Sequence, residues 1–175
     1  MSSLERLGAL LRQQGDPVAT LVGPAGVVTG RRDSPQPAGP AQLAASGPRA
    51  EGLQNEYELL MEAIYEGYLL HYGTPRVVHP TDVDLGLLAG DRLYALGLAR
   101  LVALGDMPAV AQLADVITLS ALAQSAGDEE LAVTVWSAGA RAVGWGASEN
   151  HERAKALAFA GDPDALEAMR TSSEA

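Results

Sequence analysis

Apolar residues in the middle of this chain recur every three or four positions. In "LQNEYELLMEAIYEGYLLHYG", Leu53, Tyr57, Leu60, Met61, Ile64, Tyr68 and Tyr72 fall on one face of a helix. Asn55 and Glu58 resemble a helix-start signal. Glu58, Glu62 and Glu66 form an acidic row at i, i+4 spacing, whose members repel one another weakly. The row reads as a solvated face, with a docking face for a basic partner as the sharper alternative. Gly73, Thr74 and Pro75 break this helix and Pro80 breaks the chain again, which leaves "GTPRVVHPTD" as a short loop. The stretch "DLGLLAGDRLYALGLARLVALGD", Asp84 to Asp106, predicts a second helix. Asp106 and Pro108 then stop and restart the chain, an N-cap acid with proline in the first turn, and a third helix runs to about Ala126. Gly127 and Asp128 repeat that punctuation. The fourth helix carries Leu131, Val135, Trp136 and Val143. A further helix follows Ser148, and a last short one follows Gly161, Asp162 and Pro163, with "TSSEA" expected to fray.

The N-terminal part is patterned differently. Ser3 to Gln14 predicts a short amphipathic helix with Leu4, Leu7, Leu10 and Leu11 on one side, ended by Gly15. Thirteen of the 38 residues from 15 to 52 are Gly or Pro. That share exceeds the roughly 25–30% at which low-complexity segments are expected, so the segment reads as a flexible linker. "PVATLVGPAGVVTG" has some strand character, too little to bury a sheet. The chain thus divides into a short helix (1–14), a linker (15–52), a helical bundle core (53–146) and a C-terminal helical hairpin with a frayed tail (147–175). Period-two runs of β-branched residues are missing, and the fold class is all-α.

Composition narrows the function classes. A formal net charge of −10 lacks the basic footprint of a nucleic-acid binder and disfavours anionic membrane surfaces. The absence of cysteine excludes disulfides and thiolate metal sites. "MSSLERLGALLRQQGD" is not a secretory signal. Leu85 to Gly105, the nearest approach to a membrane span, is broken by Asp91, Arg92 and Arg100. The chain reads as soluble and cytoplasmic, without a transmembrane segment.

In the second helix the leucines cover nearly the whole circumference, the mark of a helix buried in a core or an assembly. Gly86, Gly90 and Gly97 point to close backbone approach by a neighbouring helix, since glycine costs roughly 1 kcal/mol against alanine in a helix interior. An unpaired buried carboxylate is costly, so Asp91 is read as a hydrogen-bonded structural residue facing a polar gap, beside Tyr94 on the face with Leu98 and Leu101. With Trp136, these are the candidate structural and interface positions.

The stretch "LLAGDRLYALGLARL" resembles the Ala-Gly-Asp helix of the trans-prenyl diphosphate synthases. "LLMEAIYEGYLLHYG" looks like the helix before that family's His-Asp-Asp stretch, with His71 at the histidine. "GTPRVV" and "AQSAGDEE" resemble its Arg-Arg-Gly-x-Pro loop and Gly-Glu step. The likeness spans about Tyr57 to Glu130. It implies a truncated isoprenoid-synthase-like bundle. The family's catalysis needs paired aspartates that hold magnesium against a diphosphate. Here Tyr72 and Gly73 follow His71, Arg76 stands alone, and Asp82 and Asp84 are two apart, so no catalytic residue carries over. The resemblance is closest to the non-catalytic small subunit of two-component heptaprenyl or hexaprenyl diphosphate synthases. It implies a catalytic synthase subunit as partner, or self-association through apolar helices, and an influence on product chain length.

Other constellations are thinner. His71, His79, Asp82 and Asp84 are weak metal candidates, with no i, i+4 histidine pair, and no metal or cofactor is expected. "GPAGVVTGRR" lacks the Lys-Ser/Thr of a phosphate loop. Two other readings stay open: a helical adaptor unrelated to isoprenoids, and a small metal-dependent enzyme using Asp82, Asp84 and Asp91.

Overall fold

The computed structural model describes residues 1–15, 17–23 and 39–174. Eight α-helices make up the fold among these residues: α1 (Ser3–Gln14), α2 (Pro40–Ala45), α3 (Gln54–Tyr72), α4 (Val83–Leu104), α5 (Met107–Ser125), α6 (Glu129–Trp145), α7 (Glu149–Phe159) and α8 (Ala165–Glu174). The protein is all-α. Most helix starts are local chemistry. Ser2 and Glu5 form a capping box on α1, and the side chains of Asp82, Asp106, Asp128 and Ser148 cap α4 to α7. The start of α3 differs from expectation. Leu53 holds the cap position without a side-chain bond, while Asn55 and Glu58 bind Arg6 of α1.

Helix α3 is the centre of the molecule and packs most extensively on α4. A methyl group on Gly97 would lie 2.2 Å from Ile64, and one on Gly90 would lie 3.0 Å from the Gly67 carbonyl oxygen and 2.5 Å from the His71 ring. These glycines let the two backbones meet. The close neighbour is α3 of the same chain.

Residues 39–50 correct the linker reading. Pro40 opens α2, and Ala41, Ala44 and Ala45 are buried in the main core with Tyr57, Leu60 and Trp136. Pro48–Ala50 forms a 3-10 turn. Small residues make this segment a thin layer between α3 and α6: a methyl on Gly47 would lie 2.2 Å from the Gly144 carbonyl oxygen. Composition counted these residues as structureless, whereas their size is what admits them to the core. The "PVATL" part is a 3-10 helix, Pro17–Leu21, followed by one antiparallel bridge between Val22 and Val78. The remaining glycine-rich stretch, 24–38, lies outside the described residues. The expected fraying at the C-terminus is corrected as well. Thr171 to Glu174 continue α8, and Ser172 is buried beneath α7.

Helix α4 is not buried all round. Gly86, Ala89, Gly90, Leu93, Leu96, Gly97 and Leu101 face inward, while Val83 is 77% and Leu88 66% exposed. Among the described residues, α5 is the helix long and apolar enough to cross a membrane by length and composition. Its inner edge, Leu113, Val116, Leu119 and Ala123, is buried, and it packs chiefly on α6.

Candidate functional site

The acidic row of α3 turns inward, against the expectation of a solvated or docking face. Glu66 is fully buried, and its Oε1 accepts the backbone N–H groups of Arg76, Val77 and Val78 at 2.7, 2.6 and 3.1 Å. Its Oε2 accepts from Arg76 Nε at 3.3 Å. Glu62, also buried, accepts from Arg76 Nη2 at 2.7 Å and from Ser3 Oγ at 3.1 Å. Glu58 pairs with Arg6 at 2.5 Å. Filled oxygens make such carboxylates tolerable in a core. The partners arrive from α1 and the α3–α4 loop, which no helical period reveals. Two acids four apart can hold a divalent cation only with open oxygens; here guanidinium and amide groups occupy them. A cavity of about 390 Å³ opens beside Arg76, Glu62, Tyr65 and Thr74, and the Arg76 guanidinium lies 5.2 Å from the Tyr65 ring centroid.

The candidate positions of α4 separate. Gly86, Gly90 and Gly97 face inward; Gly90 and Gly97 lie against α3, and Gly86 against Pro80 and α3. Leu101 and Trp136 lie in the core, and Tyr94 and Leu98 are half-buried against it. Asp91 corrects the polar-gap reading: its side chain is 70% exposed. Its Oδ1 lies 3.2 Å from His71 Nε2, off the direction a hydrogen bond needs. The His71 ring stacks on Tyr94 at 5.4 Å, and burial pushes the Tyr94 phenol well above its ordinary pKa. Opposite this packed side, α4 presents Leu87, Leu88, Ala95, Ala99 and Val102 to the exterior.

The metal candidates do not converge. Asp82 Oδ1 accepts the Leu85 N–H at 2.8 Å as the α4 cap, Asp84 is exposed in the first turn, and His79 lies against Gly23. Among the described residues, no three His, Cys, Asp or Glu side chains gather as a metal site. Asp82, Asp84 and Asp91 share no such group, which leaves the metal-enzyme reading without a centre. The glycine-rich "GPAGVVTGRR" falls almost wholly outside the described residues.

Two polar clusters were not foreseen. Asp106 caps Ala109 and also accepts from Arg49 at 2.6 Å and from the Tyr57 hydroxyl at 2.5 Å. Burial, with the bond to Asp106, raises the Tyr57 pKa to about 12. Burial alone would raise the Asp106 carboxyl, but bonds from Tyr57 and Ala109 and the Arg49 charge hold it below its ordinary value. The second cluster joins α5 to α7 and α8. Lys155 Nζ reaches Gln112 Oε1, Asp115 and Glu152 at 3.1, 2.7 and 2.9 Å, and His151 sits between Gln112 Oε1 at 3.2 Å and Ser172 Oγ at 3.4 Å. The one available signal was the single lysine of the chain, placed with a histidine in an alanine-rich helix.

This cluster fixes a pH response. Burial first, then the Lys155 charge, lowers the His151 pKa below 6.5, so the folded protein keeps the ring neutral. Below 6.5 the unfolded chain gains a proton that the folded one refuses, and stability falls as pH drops. The melting temperature is expected to decline from pH 7.5 toward 5.5, above the carboxylate range. His151→Gln should flatten that decline; an unchanged slope would remove His151 as its source.

Comparison with protein-family profiles, curated proteins and solved structures gives no match to this chain.

Proposed function

We propose that this protein is a non-catalytic partner subunit that docks through the outer face of α4 onto a catalytic polyprenyl diphosphate synthase and biases its product length. The observation that carries the reading is the exposed apolar stripe of α4, the helix whose sequence resembles the synthase Ala-Gly-Asp helix. Leu88 and Val102 bracket the small residues Ala95 and Ala99, with Leu87 at the edge, and Asp84, Asp91 and Arg92 are the exposed charges along it. Exposed apolar surface of this kind marks interaction sites, and small residues permit close helix approach. The all-α bundle is compatible with an isoprenoid-synthase-like domain. The buried Glu62 and Glu66, held by Arg76 and the loop amides, are not an open carboxylate pair for magnesium, which favours a subunit without catalysis of its own.

Co-expression with a complete Asp-rich synthase is the test. The two chains should co-elute, and the product chain length should differ from that of the synthase alone. Leu88→Arg and Val102→Arg, both on exposed positions, should abolish co-elution while leaving the circular dichroism unchanged. Separate elution of the native chain with unaltered products would refute the reading. That result would return the protein to the class of helical adaptors.

A further inference from the structure

A second surface shares no residue with the α4 stripe. A pocket of about 370 Å³ opens where the end of α5, the start of α6 and the α7–α8 turn meet. Its floor is apolar, with Leu119 and Ala165 buried and Leu131 and Leu166 part-buried. Leu122 and Phe159 flank it at 48% and 47% exposure, so two large side chains stay wet beside an apolar hollow. The volume lies at the low end of ligand pockets and suits one or two side chains.

The rim is acidic. Asp128 and Asp162 line the pocket, and each uses one oxygen for a local backbone bond, Asp128 Oδ1 to the Leu131 N–H at 2.9 Å and Asp162 Oδ1 to the Asp164 N–H at 2.9 Å. The second oxygen of each is left for an incoming donor. Glu129 and Asp164 are exposed close by in sequence. Arg170 of α8 pairs with Glu130 and Glu167. A second copy of this chain, net charge −10, would bring like charge to that rim.

We propose that this pocket docks a basic segment of another protein, one large apolar side chain entering between Leu122 and Phe159 while flanking Lys or Arg residues meet Asp128 and Asp162. An apolar anchor in a pocket with a charged rim is the usual division between affinity and steering. The occupant is a cationic amphipathic segment, recognised as helix-in-groove partners are.

The probe is a fluorescein-labelled peptide of lysine and leucine with one leucine face, titrated against the full chain by anisotropy. Saturable one-to-one binding that weakens at high salt is expected. The double variant Leu122→Ser/Phe159→Ser should weaken it about tenfold or more, an anchor's share of the affinity. Asp162→Asn keeps the local backbone acceptor and should weaken binding while reducing the salt dependence. Leu88→Arg, on the α4 stripe, should leave binding unchanged, so failure here is distinct from failure of the subunit reading. The proposal is overturned by no saturable binding, by equal binding of the glutamate-for-lysine peptide, or by indifference to the Leu122/Phe159 variant. Loss of binding in Leu88→Arg, or a dimer of this chain that the double variant disperses, overturns it equally.

Discussion

Glu66→Ala is expected to destabilise the protein by roughly 3–5 kcal/mol, the usual cost of removing one partner from a buried charge pair. The loss would consume a large part of the about 5–15 kcal/mol that holds a typical domain folded. The reason is the load on one carboxylate. Three backbone N–H groups, of Arg76, Val77 and Val78, end on Oε1, and Arg76 Nε ends on Oε2. Alanine leaves these donors buried beneath α3, and each buried donor without a partner costs about 1–3 kcal/mol, with less than additive sums. Glu66→Gln separates shape from charge. One amide oxygen can still accept from the loop, but the amide N–H₂ then faces Arg76, and a smaller loss of about 2 kcal/mol is expected. Urea unfolding measures both. Hydrogen exchange at the Val77 and Val78 amides should accelerate in Glu66→Ala well before global unfolding. A Glu66→Ala protein within about 1 kcal/mol of the native one would show that the carboxylate does not hold the loop.

Gly47→Ala is the second large effect. The backbone at Gly47 has φ −78, which any residue adopts, so the cost is steric. The new methyl would lie 2.2 Å from the Gly144 carbonyl oxygen and 2.3 Å from its carbon. Backbone cannot turn aside as a side chain does, so α2 and the turn after it must lift from α6. A loss of about 3 kcal/mol is expected, the upper end for overpacking. Gly39→Ala is the control in the same segment: its new methyl meets only the flexible Gln42 Oε1, at 2.9 Å, and should be near neutral. If thermal melts place both variants with the native protein, residues 39–50 are not packed as described and the linker reading returns.

These residues show where sequence reasoning reached and where it stopped. The helix starts at Asp106, Asp128 and Ser148 were legible because a cap binds an N–H three residues on, whereas Asp82, the cap of α4, was read as part of the preceding loop. The glycines of α4 were legible as points of close approach, because glycine inside a helix is costly without a neighbour to admit. The acidic row was not. Glu62 and Glu66 meet Arg76 only after the chain has turned back over α3, and nothing in their i, i+4 spacing distinguishes an inward row from a wet one. Residues 39–50 failed for a related reason. Glycine, alanine and proline give the same low-complexity composition whether a segment wanders or slips between two helices. The outer face of α4 is the candidate site, and it was hidden by the leucines that cover the whole helix; only burial divides Leu93 and Leu101 from Leu88 and Val102.

By itself the sequence determined an all-α chain, the order of its main helices and several of the places where they begin, because helical period and capping act within one or two turns. The tertiary structure decided which side of α4 stays wet, which carboxylates are buried, and that a glycine-rich segment belongs to the core. Those outcomes depend on partners between 10 and 97 residues away, as Glu66 with Arg76 and Gly47 with Gly144 show, and local pattern carries no record of them.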